Sequence, residues 1–213
     1  MGSRRQLILV VQKFSALPWR QNEEKKMNTN TDTNKHVRLS RRLSYVLRHN
    51  PASIGVELDP AGWIDVDVLV AQLRTAGKPV AVTAEQIAEV VAVNDKKRFE
   101  LVGGRIRAAQ GHSVDVDLGL EPIEPPMVLW HGTVGRFLAS INAKGLVAGN
   151  RTHVHLSADI DTARNVGSRR GKPVILRIDA AGMHADGHQF YRSANGVWLV
   201  AAVPAKWIRN ASR

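Results

Sequence analysis

The stretch Arg105-Ile-Arg-Ala-Ala-Gln-Gly-His-Ser113 holds side chains suited to a multiply charged anion. Arg105, Ile106 and Arg107 alternate basic, apolar, basic, so a strand would set both guanidiniums on one face. The run then passes into Gln110-Gly-His-Ser113, a loop rich in hydrogen-bond donors. Paired guanidiniums beside such donors suit phosphate, because their planar forks match its oxygens. A solvated hairpin edge would carry the same pattern, so the assignment depends on further motifs.

Three further motifs repeat that chemistry. Upstream lies Leu39-Ser-Arg-Arg-Leu-Ser-Tyr-Val-Leu-Arg-His-Asn-Pro51, where Leu39, Leu43, Val46 and Leu47 have helical spacing. Pro51 ends that helix, Arg41 and Arg48 share a face by their separation of seven, and His49 stands at the helix end. Downstream, the apolar run Met127–Trp130 leads into His131-Gly-Thr133. His153-Val-His-Leu-Ser157 comes next, and then Val166-Gly-Ser-Arg-Arg-Gly-Lys-Pro173.

In these motifs the chain resembles the NAD-dependent RNA 2′-phosphotransferases. The residues that carry the resemblance are Leu47–Pro51, Ile106–Ser113, Trp130–Thr133, His155–Ser157, Val166–Arg169 and Ser193-Ala-Asn-Gly-Val-Trp198, in the family's order, from about Val37 to the C-terminus. The resemblance implies NAD as co-substrate, held by His131, Gly132, Thr133, His155, Ser157, Asn195 and Val197. It implies Arg48, His49, Arg107 and Arg169 as the phosphate-binding and catalytic set. Arg41, Arg105, Gln110, His112 and Ser113 are then expected to contact RNA. Many transferases of the implied fold place a Glu near the nicotinamide ribose, where this chain has Val197. A phosphate monoester, with a second pKa near 6, is already anionic at neutral pH and needs no general base. In the implied reaction the RNA 2′-phosphate displaces nicotinamide, and the ribose 2″-hydroxyl then attacks phosphorus. The products are 2′-hydroxyl RNA and ADP-ribose 1″,2″-cyclic phosphate. Neither step calls for a metal.

Composition is consistent with a polyanionic partner. The 213 residues carry a net charge of +11, with 44% hydrophobic residues to build cores. The charge is uneven, because residues 1–50 hold 11 Lys/Arg against 3 Asp/Glu. The chain has no cysteine, which excludes disulfides, thiolate nucleophiles and Cys-based zinc sites. His184 and His188 are four apart, as zinc ligands on a helix would be, but Gly182 and Gly187 argue against a helix there and no third ligand is evident. Leu7-Ile-Leu-Val-Val11 is too short for a signal peptide core, and Gly2 lacks the downstream hydroxyl of a myristoylation signal. No apolar run reaches the ~20 residues of a membrane span. The expected setting is cytoplasmic, the expected partner is RNA bearing a 2′-phosphate, and the expected state is a monomer.

The positioning elements follow from periodicity. Residues 1–36, whose Gln21–Asn34 stretch is polar and aperiodic, read as a disordered extension in which Met27 marks the expected natural start. Residues 37–109 read as helix, a strand at Gly55–Leu58, a turn at Asp59–Gly62, two capped helices, and a hairpin about Gly103-Gly104. That order predicts a winged-helix-like domain. Residues 110–126 contain Pro122, Pro125 and Pro126 and read as a linker. Residues 127–213 predict a mixed α+β domain with strands at 127–130, 153–156, 174–178 and 196–203 and a helix over 136–144. The fold class is therefore α+β, and the resemblance makes the second domain ADP-ribosyltransferase-like. Trp63, Trp130 and Trp198 are expected in cores. Two alternatives use the same residues: ADP-ribosylation of terminal phosphates of RNA or DNA, and a non-catalytic winged-helix nucleic-acid-binding protein.

Overall fold

The structure, a computed structural model, describes residues 18–76 and 79–211, with side chains described from residue 33 onward. Gly2 and the Leu7–Val11 run lie outside the described residues. The chain divides into two units, Met1–Arg42 and Leu43–Arg213. In the first unit the described backbone is the helix α1 (Pro18–Arg48), which runs on into the second unit. It starts well before the apolar periodicity does, and its polar part falls within the segment whose composition reads as disordered.

The second unit is mixed α+β with small antiparallel sheets. The final turns of α1 bury Leu43, Val46 and Leu47 completely. The helix stops at Pro51, which begins a single 3-10 turn to Ile54. The expected strand at Gly55–Leu58 does not form. Instead Val56 is buried while Glu57 and Leu58 lead directly into the Asp59 turn. Oδ1 of Asp59 accepts from the amides of Ala61 and Trp63 at 3.0 and 2.8 Å, closing that turn without a ladder.

The capped helices form as their sequences dictate. Asp65 caps α2 (Val66–Thr75), accepting from Asp67 and Val68, and Val66, Leu69, Val70 and Leu73 are its buried face. Thr83 and Gln86 make a reciprocal capping box on α3 (Ala84–Ala92). β1 (Ile64–Asp65), β2 (Phe99–Val102) and β3 (Arg105–Ala108) form one sheet in the order β1-β3-β2. Gly103 and Gly104, at φ 56 and 77, supply the left-handed pair that a two-residue hairpin turn requires.

Residues 110–126 have no regular structure but are pinned at both ends. The amide of Asp117 donates to Pro60 and that of Ile123 to Phe190. Beyond them β4 (Val128–Val134) pairs with β7 (Pro173–Asp179), and β7 with β11 (Ile208–Asn210). A second sheet has β9 (Trp198–Val200) between β6 (Val154–Leu156) and β8 (Phe190–Arg192). The short strands β5 (Leu146–Val147) and β10 (Ala202–Val203) pair separately. Helices α4 (Leu138–Lys144), α5 (Ile160–Ser168) and α6 (Ala180–Ala185) complete the six among the described residues; α6 forms although Gly182 argued against a helix there, because Asp179 caps it by accepting from the Gly182 amide. Leu129, Leu156, Ile178, Met183, Phe190 and Trp198 belong to one buried cluster shared by both larger sheets. Of the three tryptophans expected in cores, Trp198 is buried, whereas Trp63 and Trp130 are half-buried.

Candidate active site

The site begins where α1 ends. Arg48 is half-buried and His49 exposed on its last turn and cap. The loop after β3 returns to this point, with the amide of Ser113 donating to the Arg48 carbonyl at 2.8 Å. Oγ of Ser113 lies 2.9 Å from Nδ1 of His49. Gly111 has φ +88, and a side chain there would stand 3.4 Å from Cε1 of His155 and 3.9 Å from Cδ and Nη1 of Arg48. The loop therefore threads between an arginine on α1 and a histidine on β6, and its left-handed φ at Gly111 favours glycine. His112 next to it is 1% exposed, and its Nε2 has no hydrogen-bond partner. Burial first, and then Arg48, Arg107 and His49, push its pKa down to about 4, so the ring stays neutral. His112 thus sits in the interior and supports the loop, whereas sequence reasoning expected it to touch RNA. Gln110 is half-buried and Ser113 exposed on the same loop, and Arg41 is exposed on α1.

The two hairpin arginines do not form the expected anion cradle. The antiparallel register sets Glu100 directly opposite Arg107, and the pair bonds twice, Nε to Oε1 at 3.2 Å and Nη2 to Oε2 at 3.0 Å. Nη1 of Arg107 donates to the carbonyls of Ala61 and Leu118, and the guanidinium lies 4.6 Å from the centre of the Trp63 ring. Its donors and its charge are committed within the fold. Arg105 pairs with Asp59 at 2.6 Å. The alternation of Arg105 and Arg107 was legible in the sequence; their carboxylate partners, 46 and 7 residues away, were not.

Among the described residues a different set of cations has no carboxylate ion pair. Nη2 of Arg48 donates to the carbonyl of Arg98 at 3.2 Å, while its buried Nε has no partner. Burial, then the charges of Arg98 and Arg151, bring the Arg48 pKa down to about 10, which still leaves it protonated at neutral pH. Burial, followed by the charge of Arg169, lowers that of Arg98. Lys96 is lowered first by Arg169. Burial, then Arg170, lowers Arg151. Arg48, Arg98, Arg151, Arg169 and Arg170 therefore stand within electrostatic reach of one another in a chain of contacts. None has an ion pair with a carboxylate among the described residues, although Asp95 lies close enough to act on Lys96 and Arg98. Mutual repulsion among these cations makes such a group a receptor for a polyanion.

Strand packing explains how Arg169 reaches this group. A side chain at Gly132 on β4 would come 1.7 Å from the carbonyl oxygen of Ala163 on α5. One at Gly167 would come 2.9 Å from the carbonyl oxygen of Thr133. The two glycines let α5 lie directly on β4, and Arg169 follows the last turn of that helix, exposed. Gly132, which sequence reasoning assigned to NAD, thus makes a close helix–strand contact. Thr133 is 7% exposed in the same packing.

His131 and His155 come together from different sheets. The amides of Trp130 and Ser157 exchange hydrogen bonds of 2.9 and 2.8 Å with each other's carbonyls, which bridges β4 to the end of β6. Nδ1 of His131 donates to the His155 carbonyl at 3.0 Å. Nη1 of Arg151 lies 2.9 Å from Nδ1 of His155. Burial lowers the pKa of both rings, and Arg151, Arg48, His153 and His131 take His155 further, to about 3. Both are neutral donor–acceptor groups at neutral pH. Asn195 and Val197 lie in a turn closed by Ser193, whose Oγ donates to Oδ1 of Asn195 and accepts from the Val197 amide. Nδ2 of Asn195 donates to the Lys96 carbonyl at 3.0 Å, tying this turn to the basic segment before β2.

The structure therefore brings Arg48, His49, Ser113, His131, His155 and Arg169 to one region and adds Arg98, Arg151 and Lys96, which sequence reasoning missed. A signal for Arg98 existed in Lys96-Lys-Arg98, a basic run entering a strand. For Arg151 it was the spacing to His153 and His155, but the long loop before β6 concealed that it folds back onto them.

Comparison with known proteins agrees with this geometry. Residues 34–202 match the profile of the RNA 2′-phosphotransferase, Tpt1 / KptA family. The chain is 56% identical over 175 residues to a Burkholderia pseudomallei protein named "Probable RNA 2′-phosphotransferase", covering 81% of this chain and 94% of that one. A protein of the same name from Streptomyces coelicolor is 52% identical over 173 residues, with the same coverage of each. One from Rhodopirellula baltica is 56% identical over 175 residues, again covering 81% and 94%. With the match spanning most of the chain and every motif that lines the arginine group, the chain belongs to the RNA 2′-phosphotransferase, Tpt1 / KptA family.

Proposed function

We propose that the protein removes an internal 2′-phosphate from RNA, with NAD as co-substrate. The observation that carries this reading is the arginine group lacking carboxylate partners, set beside two neutral histidines. A pyrophosphate and a phosphate monoester both need cations, while ribose hydroxyls need neutral donors and acceptors such as His131 and His155. The residues present fit NAD on that ground. In this reading the N-terminal part is winged-helix-like and the C-terminal part ADP-ribosyltransferase-like.

Arg48, His49 and Arg98 hold the RNA 2′-phosphate. Arg98 takes the place first given to Arg107, whose donors are committed to Glu100 and to backbone carbonyls. A phosphate oxygen bonds to the anomeric carbon of the nicotinamide ribose as the C–N bond breaks, and nicotinamide leaves with the electron pair. The ribose 2″-hydroxyl then bonds to phosphorus. The bond from phosphorus to the RNA 2′-oxygen breaks, that oxygen takes up a proton, and ADP-ribose 1″,2″-cyclic phosphate is released. Arg169 stabilises the charge that develops on phosphorus in this second step. The test is to combine protein, NAD and a short RNA carrying one internal 2′-phosphate, without added metal, and to resolve products by mass. Loss of the phosphate with formation of the cyclic phosphate is the expected result. A stable ADP-ribosyl adduct would favour modification of terminal phosphates instead, and unchanged NAD would leave a nucleic-acid-binding protein.

A further inference from the structure

We propose that Arg151 is a positioning residue that holds His155 in its Nε2–H tautomer, fixing it as a hydrogen-bond donor toward the NAD co-substrate. The inference rests on the NAD reading above only for the identity of the ligand. Its geometric basis is the 2.9 Å contact between Nη1 of Arg151 and Nδ1 of His155. A guanidinium has five donors and no acceptor, so Nδ1 must be the acceptor, and the single proton of the neutral ring is on Nε2. Nε2 makes no hydrogen bond among the described residues, which leaves its N–H available.

His131 has the opposite assignment. Its Nδ1 faces the His155 carbonyl and must donate, so its Nε2 carries a lone pair. The two rings offer one fixed donor and one fixed acceptor, a combination suited to ribose hydroxyls. The charged and titratable groups acting on His155 are Arg151 from its own loop, Arg48 from α1, His153 on its own segment and His131 from β4. All four oppose its protonation, as burial does, so Arg151 both directs the proton to Nε2 and helps exclude a second one. Because Arg151 is exposed, removing its side chain leaves no cavity in the core.

The experiment is long-range proton–nitrogen NMR of the isotope-labelled full chain, with steady-state kinetics on the same samples. In the wild type, His155 is expected to show the Nε2–H pattern from about pH 8 down to about pH 5. Arg151→Ala should give mixed tautomers at His155, with titration entering that range and the His131 pattern unchanged. The KM for NAD should rise by about threefold to tenfold, the loss of one aligned donor. Arg151→Lys, which keeps a donor, should return the pattern toward wild type. An Nδ1–H pattern in the wild type, or an unchanged His155 pattern in Arg151→Ala, would overturn the proposal. Failure of the wild type to release nicotinamide would sink the NAD reading instead, while the tautomer result would stand by itself.

Discussion

Arginines on two neighbouring parts of this molecule have opposite fates. On the hairpin, Arg105 and Arg107 face Asp59 and Glu100 at hydrogen-bond distance, and the positive charge is balanced inside the fold. At the end of α1, before β2, before β6 and after α5, Arg48, Arg98, Arg151, Arg169 and Arg170 face one another instead, with pKa values depressed in three of the five. A balanced guanidinium is structural, because binding an outside anion would first require breaking its pair. A crowded and unbalanced one is poised for an anion, because a phosphate relieves the repulsion the fold leaves in place. Basic character alone did not separate the two groups; only their carboxylate partners did.

The largest effect is expected at the unbalanced group. Arg98→Ala should lower the turnover of 2′-phosphorylated RNA by about 10²–10³, the usual scale for losing one donor to developing charge. Arg169→Ala should slow the second step more than the first. ADP-ribosylated RNA would then accumulate, visible by mass, and its absence with activity intact would remove Arg169 from that role. Stability of the scaffold between the groups should depend on pH through His112. Its folded pKa of about 4 lies below the ordinary 6.5, so the native state disfavours the proton that the unfolded chain accepts. The stabilisation is full above about pH 6.5 and falls as pH drops toward 4, by about 3 kcal/mol at most. His112→Gln should flatten the fall in Tm between about pH 7 and about pH 5. On the hairpin, Arg107→Ala should lower stability by about 2 kcal/mol through the unpaired Glu100, read by urea unfolding, with the folded fraction still active. Arg105→Ala, at an exposed pair, should shift the unfolding midpoint less.

Much of this arrangement was legible in the sequence where the determining interactions are local. The Asp65 cap, the Thr83–Gln86 box, the Gly103-Gly104 turn and the Pro51 stop depend on residues within a few positions of one another, and they form as read. The strands β1, β5, β8 and β11 and the helices α5 and α6 were not anticipated, because each is short and depends on packing against distant segments. In the site, the residues of separate motifs, Arg48, His49, His131, His155 and Arg169, stand on neighbouring elements. The motifs did not show that Glu100 reaches Arg107 across a ladder, or that Ala163 approaches Gly132 from α5. Such partners are fixed by register and helix placement, which a linear pattern of residue types does not encode.

The most direct test of the central claim is a calorimetric titration of one short RNA, with and without its internal 2′-phosphate, into the wild type, Arg98→Ala and Arg107→Ala at a single salt concentration. The account predicts that the wild type and Arg107→Ala bind the phosphorylated RNA more tightly than its 2′-hydroxyl counterpart, and that Arg98→Ala loses most of this preference. Retention of the preference by Arg98→Ala, with its loss in a folded Arg107→Ala, would contradict the account and return the phosphate site to the hairpin.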